Sequence, residues 1–578
     1  MSDSDKMSIK SFMETVEEKL DSLNAMQLRL ILTDMALQTP SEERREFLDK
    51  LIPPEDEVTK ERRTIYQENL LNDIQDFMEE LEGMMEEDAE EYYEERHWDD
   101  WYDEGDASDF YEDYINEMEN LLDRTNAVFD NGNLELARDA YNKLFAVFRM
   151  EDDYGGGIGP DDFDGLDMKE VAVRYLRSIY ETTSSETRPQ SLFGEMMTVS
   201  RMGRHWKIGL EDLIQVSTRP LPDRGQFISD WISFLREEDD RAADYWLREA
   251  VRVSKGTAGL EELAISDGEK RPRAFLEWIA ALMYEEKYPD VIVAVEQARK
   301  VIKPDMPIRA AIADLLREAA EHLDDAELAS AALWEAFYAK PELNRLLNIW
   351  ESASDSSHRI KLMQAVSERV KVYLSQKRPM IQDYYSLDSD DAEMYAYVAG
   401  STLAHAYLLA EDWKSAYEIS FKQEELGWSN SENSQGLTVA CFLGLATGKM
   451  PSDFPPNLSL LWDTALENSI RFSDNEVVLS RLKNAYSEML SNASLGSKEE
   501  DLLDWCLSIS RKRAIAIVSN QYRKSYWKAA TLITACAEVL NILGGSQESQ
   551  AIIAEIRSQF PRHRSFQAEM NEANARRK

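Results

Sequence analysis

A chain of 578 residues exceeds what one hydrophobic core can organise, yet 43% hydrophobic content implies a folded protein. With 110 acidic against 65 basic residues the net charge is −45, which disfavours nonspecific binding to nucleic acid or to an anionic membrane and favours basic partners. Cys441, Cys506 and Cys536 lie far apart and form no CxxC pair, so neither a disulfide framework nor a cysteine-rich zinc site is expected; no apolar leader or run of about 18 apolar residues is found, and the chain reads as cytoplasmic.

Residues 8–51 read as two or three helices, with Met13, Val16, Leu20 and Leu23 on one face. Pro40-Ser41 restarts a helix, Pro53-Pro54 closes the region, and a polar helix from about residue 59 carries Leu70, Ile74, Phe77 and Leu81 on one face. Residues 77–115 are unlike the rest: 18 acidic residues stand against one basic residue, Arg96, with aromatics interleaved. Aromatics among carboxylates suit the anchoring of a basic protein, which makes Tyr92, Tyr93, Trp98, Trp101, Tyr102, Phe110 and Tyr111 the candidate partner-binding residues. The same pattern also fits mimicry of nucleic-acid charge, or a solvated connector whose aromatics dock on neighbouring helices.

The first hairpin spans 118–145: Leu121, Leu122, Val128 and Phe129 precede a Gly132-Asn133 turn, and Leu134, Ala137, Tyr141 and Leu144 line the return. The Gly/Asp-rich loop 151–165 lacks both the EF-hand order and the GK[ST] of a phosphate loop, so a flexible surface loop is expected. Residues 170–200 are helical, and a small basic-aromatic cluster follows at 201–207. From 223 the hairpins become regular. Phe275, Trp278, Ile279 and Leu282 give way to Tyr288, Val291, Val295 and Ala298; Ile312, Leu315, Leu316 and Ala320 give way to Ala326, Ala329, Leu333 and Ala336. These pairs end at Pro304 and Pro341, 37 residues apart, within the range of two-helix repeats. A helix pair at 343–375 and a polar loop at 377–391 lead to the clearest hairpin, 400–424, in which Leu403, Ala404 and Tyr407 face Ala416 and Ile419 across a Glu411-Asp412 turn and Trp413 fills the space between. An apolar helix at 438–446 precedes a break at 451–456. The last block has helices at 502–517, 526–543 and 547–559, and from Arg511 onward 12 basic residues outnumber 5 acidic ones.

Nucleophile, base and stabiliser do not come together in any familiar pattern. There is no GxSxG or HExxH. The stretch 444–450 (GLATGKM) is one residue short of a phosphate loop, with Met450 where a Ser or Thr is needed, so it reads as a helix end with Gly448 as left-handed cap. The histidines show no paired ligand spacing, and His405 reads as a packed or groove-facing residue. No catalytic residue, cofactor or metal ligand is assigned.

The hairpins resemble tetratricopeptide repeats in Leu403, Ala404, Tyr407, Trp413 and Ala416, in Gly132, Leu134, Ala137 and Tyr141, and in the terminal prolines. Residues 524–540 (KSYWKAATLITACAEVL), continuing to 560–569 (FPRHRSFQAE), look like the C-terminal hairpin of bacterial helical-repeat proteins associated with SWIM zinc fingers; the acidic-aromatic stretch is similar to one in that family. The CxC and CxH zinc motif of that family is absent, so no metal ligand is carried over, and the resemblance implies a bacterial scaffold without zinc-dependent binding.

The expectation is an all-α protein, an α-solenoid of stacked antiparallel hairpins, divided into an N-terminal helical region (1–76), the acidic segment (77–116), hairpins with the Gly/Asp-rich loop (117–200), tetratricopeptide-like repeats (201–376), a hairpin with its following helix (377–450) and a locally basic C-terminal region (451–578). The expected function is a non-catalytic scaffold or adaptor that binds a protein partner, with no membrane and no direct nucleic-acid contact. The alternative is an acidic regulator that sequesters a basic or DNA-binding partner, such as a transcription factor in a bacterial stress or defence system.

Overall fold

A computed structural model describes residues 57–87, 108–150, 157–163, 165–203, 206–376, 398–470, 476–496 and 499–577. Among them the regular structure is helical throughout, as the periodicity predicts, and no strand occurs. The chain divides into two compact units, Met1–Ser178 and Ile179–Lys578. The expected helices at 8–51, most of the acidic segment and the 377–391 loop lie outside the described residues.

In the first unit, α1 (Glu57–Glu87), α2 (Ser108–Asp130) and α3 (Leu134–Val147) pack on one another. The predicted face of α1 is buried at Leu70, Ile74, Phe77 and Leu81. The expected divisions at 76/77 and 116/117 fall inside α1 and α2, whose apolar spacing continues across both points. Arg124 pairs with Asp73 at 2.5 Å, and the Tyr141 hydroxyl donates to Asn126 Oδ1 at 2.6 Å. The described part of the Gly/Asp-rich loop, 157–163, is more than surface loop: Ile158 and Phe163 are buried, and the Phe163 ring meets Phe148 edge-on at 5.9 Å. Two apolar residues among its acids anchor it. The first unit also holds most of α4 (Met168–Thr182), along which the chain passes into the second.

The second unit opens with α5 (Arg188–Met202), α6 (Leu210–Gln215), α7 (Arg224–Glu237) and α8 (Arg241–Asp267). Phe193 meets Phe234 and Trp246 edge-on, both at 5.5 Å, and Trp231 stacks on Phe227 and on Phe234. Buried Glu249 on α8 accepts the Leu210 and Glu211 amides at 2.8 and 3.0 Å and so caps α6; a side chain on Gly209 would collide with that carboxylate. The helical stretch of α8 is broken at Gly256, whose φ of 61° with ψ of −147° suits only glycine.

The regular hairpins follow: α9 (Arg273–Tyr284) with α10 (Tyr288–Val301), α11 (Ile308–His322) with α12 (Ala326–Ala339), and α13 (Leu343–Ser352) with α14 (Ser356–Ser375). Next come α15 (Gly400–Leu409), α16 (Trp413–Phe421), α17 (Gln435–Thr447), α18 (Pro456–Ser469), α19 (Glu476–Asn492), α20 (Glu499–Ser519), α21 (Tyr526–Ile542), α22 (Ser546–Gln559) and α23 (Arg564–Arg576). α17 ends where predicted, with Gly448 left-handed at φ 60°.

One turn geometry recurs at six junctions. Gly132, Glu286, Asp324, Glu411, Gln521 and Gly544 are left-handed, with φ between 55° and 89°. At each, the next residue's amide donates to the carbonyl five positions back: Asn133 to Val128, Lys287 to Leu282, Asp325 to Ala320, Asp412 to Tyr407, Tyr522 to Ile517 and Gly545 to Leu540, all within 2.9–3.2 Å. This satisfies the last carbonyls of one helix and, at all but Gln521, where the 3-10 turn Arg523–Ser525 intervenes, starts the next helix after three residues. In two cases an aspartate then caps the return helix: Asp325 accepts from the Leu328 amide and Asp412 from the Ser415 amide.

From α12 onward one apolar core runs continuously to α23, through residues 376/377 and 450/451 where separate regions were expected. Within it, α15, α17 and α21 are buried on nearly every side. The single inner face expected for 400–409 is therefore too narrow: α15 packs on α14, α16, α17 and α19. α21 is enclosed by α17, α18, α20, α22 and α23. Cys441, Cys506 and Cys536, on α17, α20 and α21, are all fully buried, and burial pushes each thiol up.

Candidate functional site

The two hairpins α11–α12 and α13–α14 leave an open groove of about 540 Å³ between them. Its apolar floor is made by the half-buried Leu333 and Trp334 of α12 and Leu362 of α14. Trp334 is held edge-on against Phe337 at 6.2 Å. Glu321, Asp324 and Asp325 form an exposed acidic rim at the α11–α12 turn, because the left-handed Asp324 turns the chain there and Asp325 must stand next to it as the cap. Glu321 pairs with Arg317 at 2.6 Å, whereas no ion pair or hydrogen bond occupies the Asp324 carboxylate among the described residues.

The regular hairpins α9–α14 carry exposed aromatics. Tyr284, at the end of α9, is 92% exposed. Tyr338 on α12 is exposed and overlaid by the Arg369 guanidinium at 3.9 Å. The rings of Tyr288 and His322 stack at 4.4 Å. Large rings left in water on rigid helices offer contact area at small conformational cost.

Of the candidate partner-binding residues, Tyr92, Tyr93, Trp98, Trp101 and Tyr102 lie outside the described residues, and Phe110 is placed only as part of α2. Tyr111 needs a correction: it is 1% exposed and belongs to the core of the first unit. The reason is helical register, since Tyr111, Ile115, Met118 and Leu122 recur on one buried face of α2. The groove residues were not singled out from the sequence. Their signal was weak, since Leu333 and the neighbouring alanines already read as the inner face of a hairpin.

His405 has the connections of a reactive histidine without its access. Nδ1 lies 2.9 Å from the Tyr486 hydroxyl and Nε2 lies 3.0 Å from Ser469 Oγ, but the ring is fully buried, and burial pushes its pKa down to about 3. The neutral ring ties α15 to α18 and α19. Among the described residues no group of three or more His, Cys, Asp or Glu side chains could hold a metal ion, and no helix is long and apolar enough to cross a membrane. No family model matches the chain, and none of the curated proteins matches it either.

Proposed function

We propose that this protein is a scaffold that binds a basic, apolar-bearing segment of another protein in the groove between α11–α12 and α13–α14. The observation that carries the reading is the pairing of an open apolar floor (Leu333, Trp334, Leu362) with an acidic rim (Glu321, Asp324, Asp325). The architecture we infer is an α-solenoid of stacked antiparallel hairpins, tetratricopeptide-like over α9–α12. Three features support it: the turn at Glu286 is repeated at Asp324, each pair is followed by Lys-Pro, and α9 packs on α11 as well as on its own partner α10. Catalysis has no part in this reading, and the compartment proposed is the cytoplasm.

The test is an array of immobilised peptides that vary basic and apolar content, probed with the full chain at low and high salt. Peptides carrying both features are expected to bind, and Asp324→Lys together with Glu321→Lys should weaken binding about tenfold or more, a loss of roughly 1.4 kcal/mol or above. Binding untouched by these changes but abolished by deletion of residues 86–114 would move the function to the acidic segment, which is the regulatory alternative.

A further inference from the structure

In the second unit, well away in sequence from the groove, a second site is built from cations and indoles. A shallow cleft, open to solvent, is walled by Trp428, which precedes α17, by Leu461 and Thr464 of α18, by Arg513 of α20, and by Trp527, Lys528 and Leu532 of α21. Its walls are firmly placed. Trp428 is buried and donates Nε1–H to Gln435 Oε1 at 2.9 Å; it lies so close over α17 that a side chain on Gly436 would meet its ring at 2.9 Å. The Arg513 guanidinium lies over that ring, 4.3 Å from its centroid, and spends Nη1 on the Glu425 carbonyl at 2.7 Å. Lys528 Nζ donates to Ser429 Oγ at 2.9 Å.

In a chain of charge −45, several cations of this unit pair with a carboxylate. Arg511, two residues from Arg513, pairs with Glu555 at 3.0 Å; Lys483 pairs with Asp463 at 2.8 Å and Arg481 with Glu351 at 2.7 Å. Arg513 and Lys528 make no ion pair among the described residues, although Arg513 is only 6% exposed. Burial lowers the Arg513 pKa to about 10, and burial followed by the neighbouring Arg513 charge lowers that of Lys528. A third cation, Arg576, reaches the Thr531 hydroxyl in the cleft at 3.3 Å. A buried arginine without a carboxylate, next to a second cation at the cleft edge, costs stability unless an anion offsets it. The guanidinium N–H groups not spent on Glu425 form the planar fork that a carboxylate or phosphate accepts.

We propose that the cleft between Trp428 and Trp527 binds an organic oxyanion, a carboxylate or phosphate carried on an aromatic or other apolar body. The acidic group sits between Arg513 and Lys528, and its body lies against the indoles, Leu461 and Leu532. This binding is independent of the peptide groove.

The experiment titrates the full chain with phenyl phosphate, benzoate, inorganic phosphate and phenol, followed by calorimetry and tryptophan fluorescence. We expect saturable one-to-one binding of phenyl phosphate, benzoate or both, about tenfold tighter than phenol or inorganic phosphate. Lys528→Met should remove about tenfold of that affinity, and Lys528→Arg should restore most of it. Arg513→Lys, which keeps the charge and loses the planar fork, should weaken binding as well if the variant is folded by circular dichroism. Phenol binding as tightly as both anions, inorganic phosphate binding as tightly as phenyl phosphate, equal binding to wild type and Lys528→Met, or no binding of either organic anion would each overturn the proposal. Peptide binding in the groove is expected to be unaffected by Lys528→Met, so failure of one reading leaves the other standing.

Discussion

Glu335 in the regular hairpins and Glu538 in the C-terminal assembly are both drawn into packed helices, and they are held by opposite means. On α12, Glu335 is clasped by two arginines, Arg299 of α10 and Arg309 of α11, which tie three helices together. Burial works against that carboxylate, but the two guanidiniums outweigh it and hold its pKa below the usual range. On α21, Glu538 meets no arginine at hydrogen-bond distance among the described residues. It accepts the Asn457 amide at 3.1 Å, Asn457 Nδ2 at 2.6 Å and the Leu458 amide at 2.9 Å, which are the first free donors of α18 after Pro455-Pro456. Here burial prevails and its pKa is raised. A hairpin helix keeps one side at the surface, so long cations reach its carboxylate from the rim. At Glu538 on enclosed α21 no cation comes to hydrogen-bond distance among the described residues, and a helix N-terminus supplies the positive end instead.

Removing each anchor breaks the comparison most directly. Glu335→Ala leaves Arg309, itself 4% exposed, buried without its partner, and should cost about 3 kcal/mol, read as lost amide-exchange protection across α10–α12. Glu538→Ala strands the Asn457 and Leu458 amides and should cost about 2 kcal/mol, with the lost protection confined to the start of α18 and its contacts with α21.

The pH dependence sharpens it. The lowered pKa of Glu335 means that its contribution is present above the unfolded value of about 4.5 and is lost as pH falls through the folded one. The raised pKa of Glu538 means the reverse: its contribution is full below about 4.5 and is lost as pH rises through the folded value. The stability gap between wild type and Glu335→Gln should therefore shrink on acidification from pH 7 to 4, while that for Glu538→Gln should shift in favour of wild type, each by up to about 1.4 kcal/mol per pH unit inside its window. Urea titrations at stepped pH, read locally by exchange, measure both.

The smallest effect concerns what the two regions share. Asp324 and Glu411 adopt the left-handed turn conformation that Gly544 adopts without strain. Asp324→Gly and Glu411→Gly should each stabilise their hairpin by about 0.5–1 kcal/mol, and Gly544→Ala should destabilise by a similar amount, because the geometry is the same in both places.

The hairpins at 273–301, 308–339 and 400–421 were legible because apolar spacing and short turns agree, with terminal prolines at the first two. Gly132 was legible as a turn and Gly448 as a left-handed cap because glycine advertises such conformations. Glu286, Asp324, Glu411 and Gln521 hide it, since their residue types suit an ordinary helix surface. The depth of α15, α17 and α21 was only partly legible: their alanines and small polar residues look like one inner face when the helices that wrap them are distant in sequence. The groove and the Trp428–Trp527 cleft escaped notice for the same reason. Arg513 and Lys528 read as members of a basic surface block, and only folding shows that they share one cleft without a carboxylate. Tyr111 shows the converse case, a periodicity that was present in the sequence but masked by the acidic composition around it.

The three enclosed thiols of α17, α20 and α21 give the C-terminal assembly a built-in clock. An alkylating reagent added to the native protein reaches Cys441, Cys506 and Cys536 only in molecules whose helices have parted, so the pace of modification counts opening events rather than surface chemistry. Mass spectrometry of the modified peptides would then tell whether the three helices separate together or one at a time, with no dye, tag or substitution introduced.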